Sequence, residues 1–194
     1  MFIIKRDNNG GTFMNLPNKL TITRIIMVPI FVVAMAYSAN SMTMKIIALS
    51  IFILANLTDI LDGYIARSQN IVTDFGKFID PIADKLLIAS GLICLVGLGN
   101  LDAWIAVLII GRDFIISGIR LVASNKGVII GAIKLGKAKT VSQAIMISLL
   151  IFNFPKLLIL NKIIIIICIV LTIVSLLEHL KMNKDILKTI IQDK

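Results

Sequence analysis

The sequence predicts an all-α integral membrane protein with six transmembrane helices and a short interfacial segment before the first. Three observations carry that expectation. Of the 194 residues 58% are apolar and the mean hydropathy is +0.97, whereas a soluble domain is about half apolar. The apolar residues fall into six stretches, each close to the roughly 20 residues that span a bilayer. Basic residues gather at alternate breaks between those stretches, the pattern left when one side faces the cytoplasm. Lipid offers the backbone no hydrogen bonds, so each stretch is expected to satisfy its own as a helix.

Residues 1–13 contain the polar run Lys5-Arg6-Asp7-Asn8-Asn9-Gly10-Gly11 and are expected to form a flexible extension. No adequate apolar stretch and no small-residue cleavage site follow directly, so a signal peptide is not expected, and Met14 is an alternative start. Residues 14–24 read as the interfacial lead-in. The spans are expected at about 20–38, 43–66, 78–98, 102–124, 138–154 and 162–180. Turn residues separate them: Ser38-Ala39-Asn40-Ser41, the polar stretch 68–74, Gly97-Leu98-Gly99-Asn100, Asn125-Lys126-Gly127 and Asn153-Phe154-Pro155. Residues 14–180 form the expected six-helix domain and 181–194 a basic tail. Cys94 and Cys168 both lie in apolar runs, so no disulfide framework is indicated.

The formal net charge is +9. One face collects Lys5, Arg6, Lys19, Arg24, Arg67, Lys77, Lys85, the cluster from Arg120 to Lys139, and Lys181, Lys184, Lys188 and Lys194. The other has only Lys45, Lys156 and Lys162. Both termini are therefore expected in the cytoplasm. Such a patch in a membrane chain suits anionic headgroups and phosphorylated substrates, not nucleic acid.

Against this apolar background, four aspartates stand in one pattern: Asp59, Asp62-Gly63, Ala66-Arg67, Gly76, Asp80, Asp84. Carboxylates are costly in a membrane and call for a function. Asp59 and Asp62 are three apart, on one helical face and about 4.5 Å apart along the axis. Asp80 and Asp84, four apart, also share a face. Gly63 and Gly76 leave room for another backbone or a phosphate. An all-carboxylate set without His or Cys suits Mg2+ or Mn2+. Two such ions could hold both oxygens of an in-line displacement at phosphorus, with Asp84 as the base for an attacking hydroxyl. Eight fixed positions at about 5% each recur by chance on the order of once in 10^10 starts, so the pattern is a strong signal.

The string D-x2-D-G-x2-A-R-x8-G-x3-D-x3-D matches without departure the signature of the CDP-alcohol phosphatidyltransferases, which this chain resembles. The resemblance implies a six-helix membrane enzyme, commonly a homodimer, with its site open to the cytoplasm and, for this chain, residence in a bacterial cell membrane. It implies that Asp59, Asp62, Asp80 and Asp84 bind two metal ions. Gly63, Ala66 and Arg67, with Asp59, Asp62 and Gly76, would hold CDP-diacylglycerol.

The acceptor must be read outside that motif. Arg112 and Arg120 are eight apart on the fourth span, close to one helical face. Arg112 interrupts an apolar run, either to capture phosphate or to pair with Asp113 or a motif aspartate. Lys137 and Lys139 open the fifth span, where they also serve as a topology signal. Together these four make a cationic pocket suited to a phosphorylated acceptor. Three stretches, NLPNKLTITRIIMVPIF at 15–31, GRDFIISGIRLVASNKG at 111–127 and LGKAKTVSQ at 135–143, resemble bacterial family members whose acceptor is sn-glycerol 3-phosphate. Asp113 departs from the glutamate expected there, which leaves the partner of that acid open. Thr23 and Arg24 are further candidates for acceptor or lipid phosphate, although Arg24 also suits interfacial anchoring. Inositol phosphate, serine and phosphatidylglycerol are competing acceptors within the family. A cation transporter or a structural protein is the competing class.

Trp104 and Tyr37 read as residues of the outer interfacial belt. His179, the sole histidine, is not expected to bind metal. Gly91, Gly118, Ser117, Ala144 and Ser148 are candidates for close helix packing or a dimer seam.

Overall fold

The computed structural model describes residues 16–68, 74–125 and 134–184. These form six helices: α1 (Leu16–Ala36), α2 (Met42–Ser68), α3 (Asp74–Gly97), α4 (Ala103–Asn125), α5 (Lys134–Phe152) and α6 (Leu158–Met182). The expected extension 1–13, the middle of the motif loop and most of the basic tail lie outside the described residues. The expected lead-in is not a separate element from Leu16 onward, because α1 runs through it unbroken.

Helix ends fall where the turn residues stand. Ser38 donates its hydroxyl to the carbonyl of Met35 at 2.7 Å, closing α1 with a short 3-10 turn, Ser38–Asn40. Ser41 then accepts from the amide of Met44 at 3.3 Å, as a helix N-cap does. After α3, Gly99 takes a φ of +72°. Its amide donates to Val96 and that of Asn100 to Leu95, so the helix ends in a Schellman motif with glycine at the left-handed position. After α5, Asn153 adopts a φ of +45°, which asparagine tolerates better than most residues.

These turns are tied to one another. The side-chain amide of Asn153 donates to Oδ1 of Asn100 at 2.7 Å. Asn100 donates to the carbonyl of Leu150 at 3.4 Å, and Lys45 to that of Phe152 at 3.4 Å. The α3–α4 turn, the α5–α6 turn and the start of α2 therefore meet at one end of the bundle. The motif-bearing ends of α2 and α3 lie at the other, as the alternating topology requires.

Between the ends, α1 packs on α2 and α3, α2 on α5, and α5 on α6. Phe31, Met35, Phe52, Leu87, Leu92, Leu95, Ile109, Met146 and Ile147 form the buried core, and the rings of Phe31 and Phe52 lie 5.6 Å apart. Outside it the helices stay apolar. Ile26, Ile30 and Val33 on α1 are exposed, as are Ile159, Ile163, Ile166, Val170, Ile173 and Leu177 on α6. That inverts the surface of a soluble protein and fits helices bathed in lipid.

Four helices, α1, α2, α5 and α6, are long and apolar enough to cross a membrane. This is the construction of an integral membrane protein. Helices α3 and α4 are equally long, but they carry Asp80, Asp84 and Lys85, and Arg112, Asp113 and Arg120. The expectation of six helices is met, and α3 and α4 stand outside those four because they bring more charge into the bundle. Trp104 and Tyr37 are both exposed, near the end where the turns meet.

Gly91 brings α3 against α5: a Cβ there would stand 3.2 Å from Cγ2 of Ile147. Gly91→Leu should therefore overpack the core and cost about 1–3 kcal/mol, read as a lower thermal midpoint in detergent. An unchanged midpoint would mean that these helices do not pack this closely.

Candidate active site

Asp59, Asp62, Gly63, Ala66 and Arg67 lie on the last three turns of α2, and Gly76, Asp80 and Asp84 on the first three turns of α3. The side chains of Asp62, Ala66, Arg67 and Asp80, and the surroundings of Gly63 and Gly76, lie outside the described part of the structure. Asp59 and Asp84 are described, and each is held in a different charge environment.

Asp59 pairs with Arg24 of α1 at 2.7 Å. The arginine is 1% exposed, whereas 41% of the Asp59 side chain stays open. A guanidinium enclosed in an apolar bundle is tolerated when a carboxylate neutralises it. The reading of Arg24 as a simple interfacial anchor is thus not met, because the anchor position would leave it open to headgroups. The hydroxyl of Thr23 donates to the carbonyl of Lys19, one turn back, at 2.9 Å.

A cavity of about 190 Å³ lies between α3, α4, α5 and α6. Asp84 and Lys85 line it from α3, Arg112, Asp113 and Arg120 from α4, Lys137, Lys139 and Gln143 from α5, and His179 from α6. All four cations expected to bind the acceptor are brought together with Asp84. Five cationic side chains face two carboxylates, so the cavity has a surplus of positive charge and suits an anion. The carboxylate of Asp84 is within electrostatic reach of Asp59 and Arg24 and also of Asp113 and Lys139, which links the cavity to the aspartate motif.

The cavity wall is fixed by a hub at Asp113. Lys139, 2% exposed, donates to both carboxylate oxygens of Asp113. Arg112 donates to the same carboxylate at 3.1 Å and to the hydroxyl of Ser175 on α6 at 3.0 Å. Arg112 therefore pairs with Asp113, as one of its two readings expected, and also lines the cavity. Arg120 donates to Nε2 of His179 at 3.3 Å, making that nitrogen the acceptor of the ring.

Sequence reasoning passed over three wall residues. Asp113 was visible as a departure from the expected glutamate and as a candidate partner of Arg112, without Lys139. Gln143 stands four residues after Lys139, on the same helical face, and that spacing could have drawn attention to it. For His179 there was no local signal, because its partner is 59 residues away. Among the described residues, no group of three or more acidic, histidine or cysteine side chains converges as a metal site. Two of the four expected ligands, Asp62 and Asp80, have side chains outside that description.

An all-helical membrane bundle with a positively charged cavity near the aspartate motif fits a class of enzymes acting on phosphate esters in lipid. The model of the CDP-alcohol phosphatidyltransferase family matches residues 14–174, and the chain belongs to that family. It is 40% identical over 189 residues to the CDP-diacylglycerol–glycerol-3-phosphate 3-phosphatidyltransferase of Bacillus subtilis (strain 168), an alignment covering 90% of this chain and 98% of that one. It is 45% identical over 139 residues to the protein of the same name from Rickettsia felis, covering 72% of this chain and 76% of the relative. A probable phosphatidylglycerophosphate synthase of Mycobacterium tuberculosis (strain H37Rv) is 43% identical over 138 residues, 71% of this chain and 66% of that one.

Removing one partner of a buried ion pair strands the other. Asp113→Ala should therefore destabilise the protein by about 3 kcal/mol. The double variant Asp113→Ala, Lys139→Met should lose clearly less than the sum of the single variants. Strict additivity in thermal unfolding would show that the pair does not couple.

Proposed function

We propose that the protein transfers the phosphatidyl group of CDP-diacylglycerol to sn-glycerol 3-phosphate, giving phosphatidylglycerol phosphate and CMP, a step of phospholipid biosynthesis. The observation that carries this reading is the cationic cavity beside Asp84. Arg112, Arg120, Lys137 and Lys139 converge on it, more positive charge than serine, an acceptor without phosphate, would call for. The names of the relatives agree with it.

In the proposed reaction the acceptor phosphate sits among those four cations, the arginines offering paired donors and the lysines point charge. That fixes the primary hydroxyl relative to Asp84. The hydroxyl oxygen attacks the phosphorus joined to diacylglycerol and its proton passes to Asp84. The bond from that phosphorus to the oxygen bridging it to CMP breaks, and CMP leaves with the electron pair. Holding the two reactants in this alignment supplies much of the rate. Gly63, Ala66, Arg67 and Gly76 are assigned to the nucleotide and diphosphate of the donor.

Asp59, Asp62, Asp80 and Asp84 would hold two Mg2+ or Mn2+ ions. The fit rests on an all-oxygen donor set and on Asp59, which keeps much of its surface open while Arg24 secures one oxygen. Bound there, the ions would neutralise the charge that develops on the departing phosphate. The basic residues at the motif-bearing end support a cytoplasmic side for the site and both termini, with the chain multi-pass in a bacterial cell membrane. A homodimer is part of this proposal by family likeness alone.

The test is CMP release by purified protein in detergent with CDP-diacylglycerol and magnesium, across a panel of acceptors. Release that depends on sn-glycerol 3-phosphate is expected. Release only with inositol phosphate, serine or phosphatidylglycerol would overturn the acceptor and keep the family chemistry. Asp84→Asn should reduce turnover at least about 100-fold, within the usual range for a general base, and near-normal turnover would remove that role. Arg120→Ala should raise the KM for sn-glycerol 3-phosphate about ten-fold or more, as expected for a charge-assisted contact, with little change for CDP-diacylglycerol. An equal rise for both would argue against acceptor binding.

A further inference from the structure

The cavity wall contains a buried amide that neither the phosphate nor the proposed proton transfer uses. Gln143 is 1% exposed, lines the cavity, and its Nε2 has no hydrogen-bond partner. A buried amide without a partner is unusual, because it has given up water for nothing. The neighbouring neutral groups are committed. Ser117 donates to the carbonyl of Asp113 at 2.6 Å and Thr140 to that of Gly136 at 3.1 Å.

We propose that Gln143 recognises the secondary hydroxyl of the acceptor and is a specificity-determining residue of the cavity; this rests on the acceptor reading above. Three arguments converge on that group. The phosphate already has four cationic partners, so a neutral amide adds little to its capture. The primary hydroxyl is the nucleophile and belongs at Asp84. What remains of glycerol 3-phosphate is one neutral hydroxyl, and Gln143 is the uncommitted neutral group on the wall. Its position also suits this role. It lies one helical turn beyond Lys139 on the same face of α5, about 6 Å along the axis, a distance comparable to the length of a glycerol phosphate. A hydroxyl both donates and accepts, so it can meet either end of the amide. A site built to bond a hydroxyl discriminates against an analogue that lacks it, since the amide is then left unpaired.

The experiment compares two acceptors with full-length protein in detergent, CDP-diacylglycerol and magnesium. One is sn-glycerol 3-phosphate. The other is 3-hydroxypropyl phosphate, which keeps the phosphate and the primary hydroxyl and lacks the secondary one. Wild-type protein should prefer the first in kcat/KM. Gln143→Met keeps the length of the side chain and removes an amide that has no partner at Nε2, so folding is not at risk from a lost bond there. In this variant the preference should fall about ten-fold, almost entirely through loss on sn-glycerol 3-phosphate. Turnover of 3-hydroxypropyl phosphate should stay within about two-fold of wild type, which also reports that the protein is folded. An unchanged preference, with both acceptors affected alike or neither, would overturn the assignment, because a structural role lowers both together. Wild-type protein that uses sn-glycerol 3-phosphate without preferring it would overturn the inference alone. Wild-type protein that uses neither acceptor would overturn the acceptor reading and this inference with it.

Discussion

The carboxylate of Asp113 is shared by two buried cations from different helices, and the cavity depends on it. Lys139 on α5 and Arg112 on α4 both reach it, and Arg112 extends to Ser175 on α6. In an apolar bundle, helices gain little from burying more apolar surface against one another, because lipid serves equally well. Charges have no such indifference. An ammonium that is 2% exposed must find a carboxylate, and finding it fixes α4, α5 and α6 in one arrangement. The same constraint shapes the wall of the cavity. Each cation held for structural reasons keeps a face toward the interior, where the summed charge remains positive.

Arg24 and Asp59 repeat this logic between α1 and α2. Asp84 stands within reach of both charge groups, which is where the base of the proposed reaction has to be. The opposite end of the bundle is organised differently. There Asn100, Asn153 and Lys45 close the turns by hydrogen bonds to one another and to backbone carbonyls. One end of the molecule is pinned by hydrogen bonds to amide and carbonyl oxygens, and the other holds its charges around a space.

Much of the fold was legible in the sequence because its signals are local. The breaks at Ser38, Gly97–Asn100 and Asn153–Pro155 fall where turn chemistry predicts. Arg112, Arg120, Lys137 and Lys139 could be grouped because cations in apolar runs are conspicuous. Less legible was anything set by contact between distant segments. The burial of Arg24 follows from α1 packing on α2, and nothing near Arg24 announces Asp59. Asp113 could be paired with its neighbour Arg112, but its second partner, Lys139, lies 26 residues away and had no local signal. His179 owes its place to Arg120, and Gln143 matters because of what surrounds it. A lone neutral amide in a helix carries no message until the cavity is formed around it.

The central claim is that the protein's own cations, set by the Asp113 hub, hold the acceptor phosphate beside the aspartate motif. It is tested most directly by equilibrium binding of radiolabelled sn-glycerol 3-phosphate to the purified protein, without CDP-diacylglycerol and with divalent metal chelated. The account predicts saturable binding that inorganic phosphate competes away and that Arg112→Ala weakens about ten-fold or more. Binding that appears only when divalent metal is restored, or that Arg112→Ala leaves unchanged, would contradict it.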